Sequence, residues 1–276
     1  MAAERITREN LEPIIAAHTG NRVFAQSFAQ TSDGADLLRV LGRYIHFNST
    51  FGGGVANLAG EIAVRQNLFR DPAEEVMLLA DRSVEVASDI FFAAVDEFDD
   101  RSTSYRDTHR TLAQATLKAT GRFYGYEGAA LNAALPINAA TYRAILQVQD
   151  GYGINQAVDE SKLFRALGFH AGSEILADEE FRLLDAYLRA QRADLVAHLE
   201  QTTVEINGHR HKAYYWVFIH TSVEADHFAF AVRGANEALQ YYAGTEPPAQ
   251  LQAWILAGFQ EFAAVQAAFM ERLLEA

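Results

Sequence analysis

The sequence predicts an all-α bundle carrying one small β-ribbon. Apolar residues recur at helical spacing through nearly the whole chain. Glycines, prolines and short polar runs cut that pattern into segments of helix length. A β-prone, alternating stretch appears once, around Asn207-Gly208.

Taken in order, Thr7–His18 is the first amphipathic segment, with His18 read as a helix-end residue, and Asp36–Asn48 is the second. Val55–Phe69 follows Phe51-Gly-Gly-Gly; without a lysine or a flanking strand these glycines do not form a phosphate loop, and they read as sites of close packing. Pro72–Phe98 has proline where a first helical turn tolerates it. The polar turn Asp99 to Tyr105 separates it from a helix over Tyr105–Phe123. Gly125 to Pro136 is the least periodic stretch and reads as a loop. Helices are expected over Ala139–Gln149, Gln156–Glu174 and Asp178–His198. Thr202 to His211 is a hairpin turning at Asn207-Gly208, with His209 and His211 expected in solvent and the ribbon as surface decoration. Ala213–Tyr242 and Pro248–Leu274 are long, largely apolar helices. No internal repeat or linker interrupts the chain, so residues 1–276 read as a single domain.

Composition excludes several classes of function. With 276 residues, 50% of them hydrophobic and 21% charged, the chain can bury a large core, and no run offers the roughly 18 uncharged apolar residues of a membrane span. The N-terminus lacks the basic start and apolar centre of a signal peptide, so a cytoplasmic location is expected. The absence of cysteine rules out thiolate zinc sites, iron–sulfur clusters and a cysteine nucleophile. A net charge of -13 disfavours nucleic acid and anionic membrane as partners.

The chemistry-bearing motif is His220-Thr-Ser-Val-Glu224-Ala-Asp-His227. On a continuous helix, positions i, i+4 and i+7 fall within an arc of roughly 60°, here the arc of Ala213, Trp216, Val217, Val223, Phe228 and Ala231. Ionisable groups on a core-facing stripe are costly unless paired or bound to metal, and His with carboxylate is a ligand set for iron, manganese or zinc. Three further groups fall in apolar rows. Glu97 is in register with Val86, Ile90, Ala93 and Ala94, while Asp96 is expected to point elsewhere. His109 is in register with Leu112, Ala113 and Thr116, and Glu174 with Leu163, Leu167, His170 and Ala171. His170 can replace Glu174 or hold it from behind. Glu61 reads as a partner for Arg65 at i+4. The chain has no His-Glu-x-x-His, a single Glu-x-x-His where ferritin-like bundles need two, and no Gly-x-Ser-x-Gly elbow.

Glu97, then His109 twelve positions on, then Glu174, then His220-x3-Glu224-x2-His227 resembles the ligand pattern of the haem-oxygenase-like di-iron oxidases and oxygenases, over roughly Phe51 to Tyr242. This chain has Glu224 where many relatives have aspartate, Asp99 where glycine is usual, and the hairpin as an insertion between Glu174 and His220. The resemblance implies a bundle of about seven core helices holding two Fe2+ ions, with O2 as co-substrate. Glu97, His109 and a bridging carboxylate would hold the first iron; His220, Glu224, His227 and a shared carboxylate would surround the second, with Glu174 among the bridging candidates. It further implies a small amine or amino acid as substrate, N-oxygenation first and oxidative carbon–carbon cleavage or decarboxylation second, with an external electron donor and a homodimer as partners. A different class shares the architecture: metal-free thiamin-salvage hydrolases, cofactor-synthesis proteins or a helical binding protein, none of which would hold stoichiometric iron. Phe92, Tyr105, Tyr124, Phe164 and Trp216 are expected to wall the pocket.

Overall fold

A computed structural model describes residues 5–76, 78–100, 103–221 and 224–275, with backbone alone at Ala93, Ala94, Glu224 and Ala225. It is helical almost throughout. The described helices are α1 (Arg8–Ala17), α2 (Gly20–Ala29), α3 (Gly34–Phe47), α4 (Phe51–Ala63), α5 (Asp81–Phe98), α6 (His109–Phe123), α7 (Gly128–Ala134), α8 (Ala139–Gly151), α9 (Glu160–Gln191), α10 (Ala193–Gln201), α11 (Tyr215–His220), α12 (Glu224–Tyr241) and α13 (Pro248–Glu271). One antiparallel ribbon, β1 (Thr203–Ile206) and β2 (His209–Lys212), lies between α10 and α11.

Helix starts follow from side chains that satisfy the first free backbone N–H groups. Asp33, Thr108, Asn138 and Asp159 accept from the backbone N–H three residues on, at the heads of α3, α6, α8 and α9. Helix α9 is the spine. It runs unbroken for 32 residues and packs along α13, α12 and α2. Its approach to α13 is set by two glycines: a Cβ on Gly168 would lie 1.7 Å from the Ile255 carbonyl oxygen, and one on Gly258 would lie 1.8 Å from that of Arg165. The two backbones therefore touch where any side chain would hold them apart. Among the glycines before Val55, Gly52 packs against Glu97 and Gly54 against the Tyr152 ring, while Gly53 faces open space.

Several elements differ from the sequence expectation. Helix α5 begins at Asp81 rather than Pro72, and Val76, Leu78 and Leu79, which completed the apolar pattern, are exposed. Residues 20–29 form α2, which buries Phe24 and Phe28, and the stretch expected to be a loop contains α7. The expected break near residue 175 is absent, because Glu174, Asp178 and Glu180 are buried acids within α9 rather than the acidic first turn of a new helix. The motif segment is two helices, α11 and α12, with Thr221 in a turn. Residues 222–223, and with them Val223, lie outside the described residues. Helix α13 is long and apolar enough by composition to cross a membrane, contrary to the expectation that no run would be, and it packs against α9, α2 and α8.

The hairpin forms with the expected turn, Asn207 and Gly208 both at positive φ (53° and 80°). Its packing differs from the expectation. Val204 and His211, cross-strand partners, are buried, and the ribbon lies on α6. His211 Nδ1 lies 2.9 Å from Asp107 Oδ2, so this histidine does not face solvent, while exposed His209 stacks on Tyr105.

A candidate metal centre between α5, α6, α9, α11 and α12

The α5–α6 turn brings Glu97 and His109 together. Asp100 and Asp107 form an isolated bridge across the turn, and His109 then opens α6. His109 Nδ1 sits 2.9 Å from Glu97 Oε1, and its Nε2 approaches Asp100 Oδ2 at 3.9 Å. His109 Nδ1–H donates to Glu97 Oε1, so a metal held there would take the place of that proton on Nδ1, with Asp100 on the outer Nε2 side of the ring.

His220 completes the group from α11. Its Nδ1–H donates to the Trp216 carbonyl at 2.7 Å, which leaves the lone pair on Nε2. Phe181 stacks on the ring at 4.1 Å and His109 meets it edge-on at 4.5 Å. Burial, reinforced by the charge of His109, lowers its pKa to about 3, so the imidazole is neutral at physiological pH and available as a donor. Glu97, His109 and His220 each offer an atom within 4.8 Å of the others and can hold a metal ion. Burial alone would raise the Glu97 carboxyl, but His109, by charge and hydrogen bond, outweighs it and keeps the group below the usual carboxylate range.

A second cluster forms on α9. Glu174 Oε1 lies 3.2 Å from His170 Nδ1, and Glu174 Oε2 lies 3.6 Å from His227 Nδ1. On its other side His227 Nε2 reaches Asp96 Oδ2 at 3.2 Å. Tyr152 supports the group, its hydroxyl 2.9 Å from Ser173 Oγ and 3.4 Å from His170 Nδ1. His170 Nε2 is buried without a hydrogen-bond partner. Burial opposes ionisation of Glu174, yet the hydrogen bonds from His170 and His227 win and hold its carboxyl well below the ordinary range.

A cavity of about 50 Å³ is lined by Glu97, His109 and His220 and, from the second cluster, by Glu174, and is walled by aromatic rings including Phe51, Trp216 and Phe262. Glu180 also lines it. It accepts from Gln266 Nε2, and burial raises its pKa to about 7 against the hydrogen bonds from Gln266 and Tyr44.

Five of the six expected ligands, Glu97, His109, Glu174, His220 and His227, have described side chains, and they fall in these two clusters. The sixth, Glu224, opens α12, and its carboxylate lies outside the described residues. The grouping is corrected. His220 joins Glu97 and His109 rather than His227, because the break after α11 takes the motif off a single stripe. Asp96 does not point away from the site. Helix α5 packs against α4 and α6 and also against α12, so adjacent residues of one helix serve both clusters. The signal available in the sequence was the acidic run Asp96-Glu97 itself. Asp100 and Glu180 were not anticipated, and neither carries a motif. Of the expected pocket walls only Trp216 lines the cavity; Phe164 is in the core, and Phe92 and Tyr105 are exposed. Glu61 pairs with Arg65 at 3.4 Å, and His18 is the C-cap of α1. No family model and no curated protein matches this chain.

Proposed function

We propose that this chain is a non-haem di-iron oxygenase or oxidase built on a haem-oxygenase-like helical bundle, using O2 on a small amine or amino-acid substrate, with N-oxygenation as the first reaction to test. One observation carries the reading: Glu97, His109 and His220 line one aromatic-walled cavity together with Glu174, which ties a second donor cluster of His170, His227 and Asp96 to it. Nitrogen and carboxylate oxygen suit ferrous iron; His220 is neutral at physiological pH and ready to ligate, whereas the proton that His109 donates to Glu97 would be displaced on binding.

Ferrous iron, when bound, supplies the electrons that reduce O2. The protein's own groups do the rest. His220 presents Nε2 because Trp216 takes its other proton, Asp100 turns the His109 ring, and Glu174 is positioned between the clusters by two histidines. Glu180, protonated near neutrality, holds a proton at the cavity wall. The rings of Phe51, Phe181 and Phe262 exclude water.

A second reading has its own observation. Glu97, His109 and His220 form a two-histidine, one-carboxylate set, which suffices for a single catalytic iron. The test is O2 uptake by anaerobically Fe(II)-loaded protein. Uptake should exceed that of free Fe(II) and vanish in Glu97→Ala. Uptake no faster than free Fe(II), or unchanged in the variant, would contradict the proposal.

A further inference from the structure

The donor cavity is too small for a substrate. Its roughly 50 Å³ holds no more than a few water-sized molecules and falls far below the roughly 300 Å³ at which small-molecule sites begin. Beside it lies a cleft of about 750 Å³, within the range of small-molecule sites. Helix α6 forms one wall with Arg110, Gln114 and Lys118, spaced at i, i+4 and i+8 on one face. The end of α3, helix α7 and the tip of the hairpin at Glu205 to Asn207 form the others. Arg110 lines both spaces, next in sequence to the candidate ligand His109.

Two of this cleft's cations, Arg110 and Lys118, are held by carbonyls, as Arg43 and Arg192 are elsewhere. In a chain of net charge -13, arginines such as Arg82, Arg106, Arg165 and Arg233 are tied to carboxylates. Arg110 donates Nη1–H to the Ile45 carbonyl at 2.7 Å, and Lys118 donates to the Glu205 carbonyl at 3.1 Å. Both cations thus spend a hydrogen bond on a neutral acceptor, and among the described residues neither forms an ion pair with a carboxylate. Glu127, the acid on the α7 side, is already held by Arg122 at 3.3 Å. Leu117, Leu131 and Leu135 supply apolar surface between the polar groups.

We propose that this cleft admits and anchors the substrate, and that its ligand is a small organic anion whose carboxylate pairs with Arg110, with Lys118 adding positive charge further along the same wall, while its far end reaches the donor cavity. A guanidinium fork matches a carboxylate in geometry and charge, and Arg110 stands where such a pair fixes the distance from anchor to donors. The assignment of the far end rests on the metal-centre reading of the cavity; the anion site itself does not.

Isothermal titration of the chain with hexanoate, its neutral isostere hexanamide and inorganic phosphate tests the assignment. Hexanoate should bind at least tenfold more tightly than hexanamide or phosphate. Arg110→Gln should weaken it at least tenfold, Lys118→Gln severalfold, and Arg110→Lys less than Arg110→Gln. If Arg110→Gln does not fold, Arg110→Lys and Lys118→Gln carry the comparison. Absence of hexanoate binding, equal binding of hexanamide or phosphate, or indifference to the Arg110 and Lys118 substitutions would overturn the proposal. The two readings fail separately: a protein that binds hexanoate in this way but no iron loses the metal centre and keeps the anion site, and one that holds iron without discriminating hexanoate does the reverse.

Discussion

Two imidazoles in this protein are aimed by groups behind them. The Trp216 carbonyl fixes His220, and the Asp100 carboxylate faces the outer nitrogen of His109. Asp100 carries no motif, since its place at the site exists only once the α5–α6 turn has closed. Outer partners of this kind typically contribute roughly 10–100-fold to metal affinity. Asp100→Asn should therefore weaken Fe(II) binding by about that factor, measured by competition with a chromophoric chelator; wild-type affinity would remove Asp100 from the site. Glu180 offers a test that needs no metal. Its folded pKa of about 7 lies above the ordinary glutamate value of 4.5, so its contribution to stability is fully present below the unfolded value and is lost as pH rises through about 7. Because His220, lowered to about 3, contributes a rise in stability up to its unfolded value of 6.5, the readout is wild type minus Glu180→Gln in metal-free denaturant unfolding, which should fall between roughly pH 5 and 8 by up to about 3 kcal/mol at about 1.4 kcal/mol per pKa unit. A difference that does not change with pH would remove Glu180 as a titrating group in this range.

At the scale of elements, helix existence was largely legible and helix limits were less so. Periodicity finds α3, α6, α8 and α13 because each turns an apolar face inward. It misplaces α9, where Asp178 and its neighbours mimic the acidic first turn of a new helix, and it misses α7, whose glycine flanks imitate a loop. The α11–α12 break was invisible because the residues around it are individually compatible with a helix. What the sequence could not express at all was the Gly168–Gly258 approach, a property of two segments far apart in the chain. Gly168→Ala should force α9 and α13 apart and cost on the order of 1–3 kcal/mol or more, read as a lower denaturant midpoint; an unchanged midpoint would mean the helices are not held that closely. The hairpin carries a parallel test. His211 reaches Asp107, two residues before His109, so His211→Ala should lower iron retention as well as stability, whereas a merely decorative ribbon would leave iron content unchanged.

For the whole molecule, the sequence conveyed an all-helical chain with one ribbon and the residue types of a metal site, but not how those residues divide into two clusters. That division depends on α5 packing against both α6 and α12, a tertiary fact without a one-dimensional signature. A ligand that binds only the folded chain stabilises it by about 2.7 kcal/mol at one hundred times its Kd, so anaerobic Fe(II) should raise the melting temperature and a chelator should reverse the rise. The most direct measurement is the iron content of anaerobically reconstituted protein after equilibrium dialysis, wild type beside His220→Ala and His227→Ala. The two-cluster account predicts two equivalents in the wild type and the loss of most of one in each variant. Iron content in both variants equal to wild type, or no iron retained by the wild type, would contradict it.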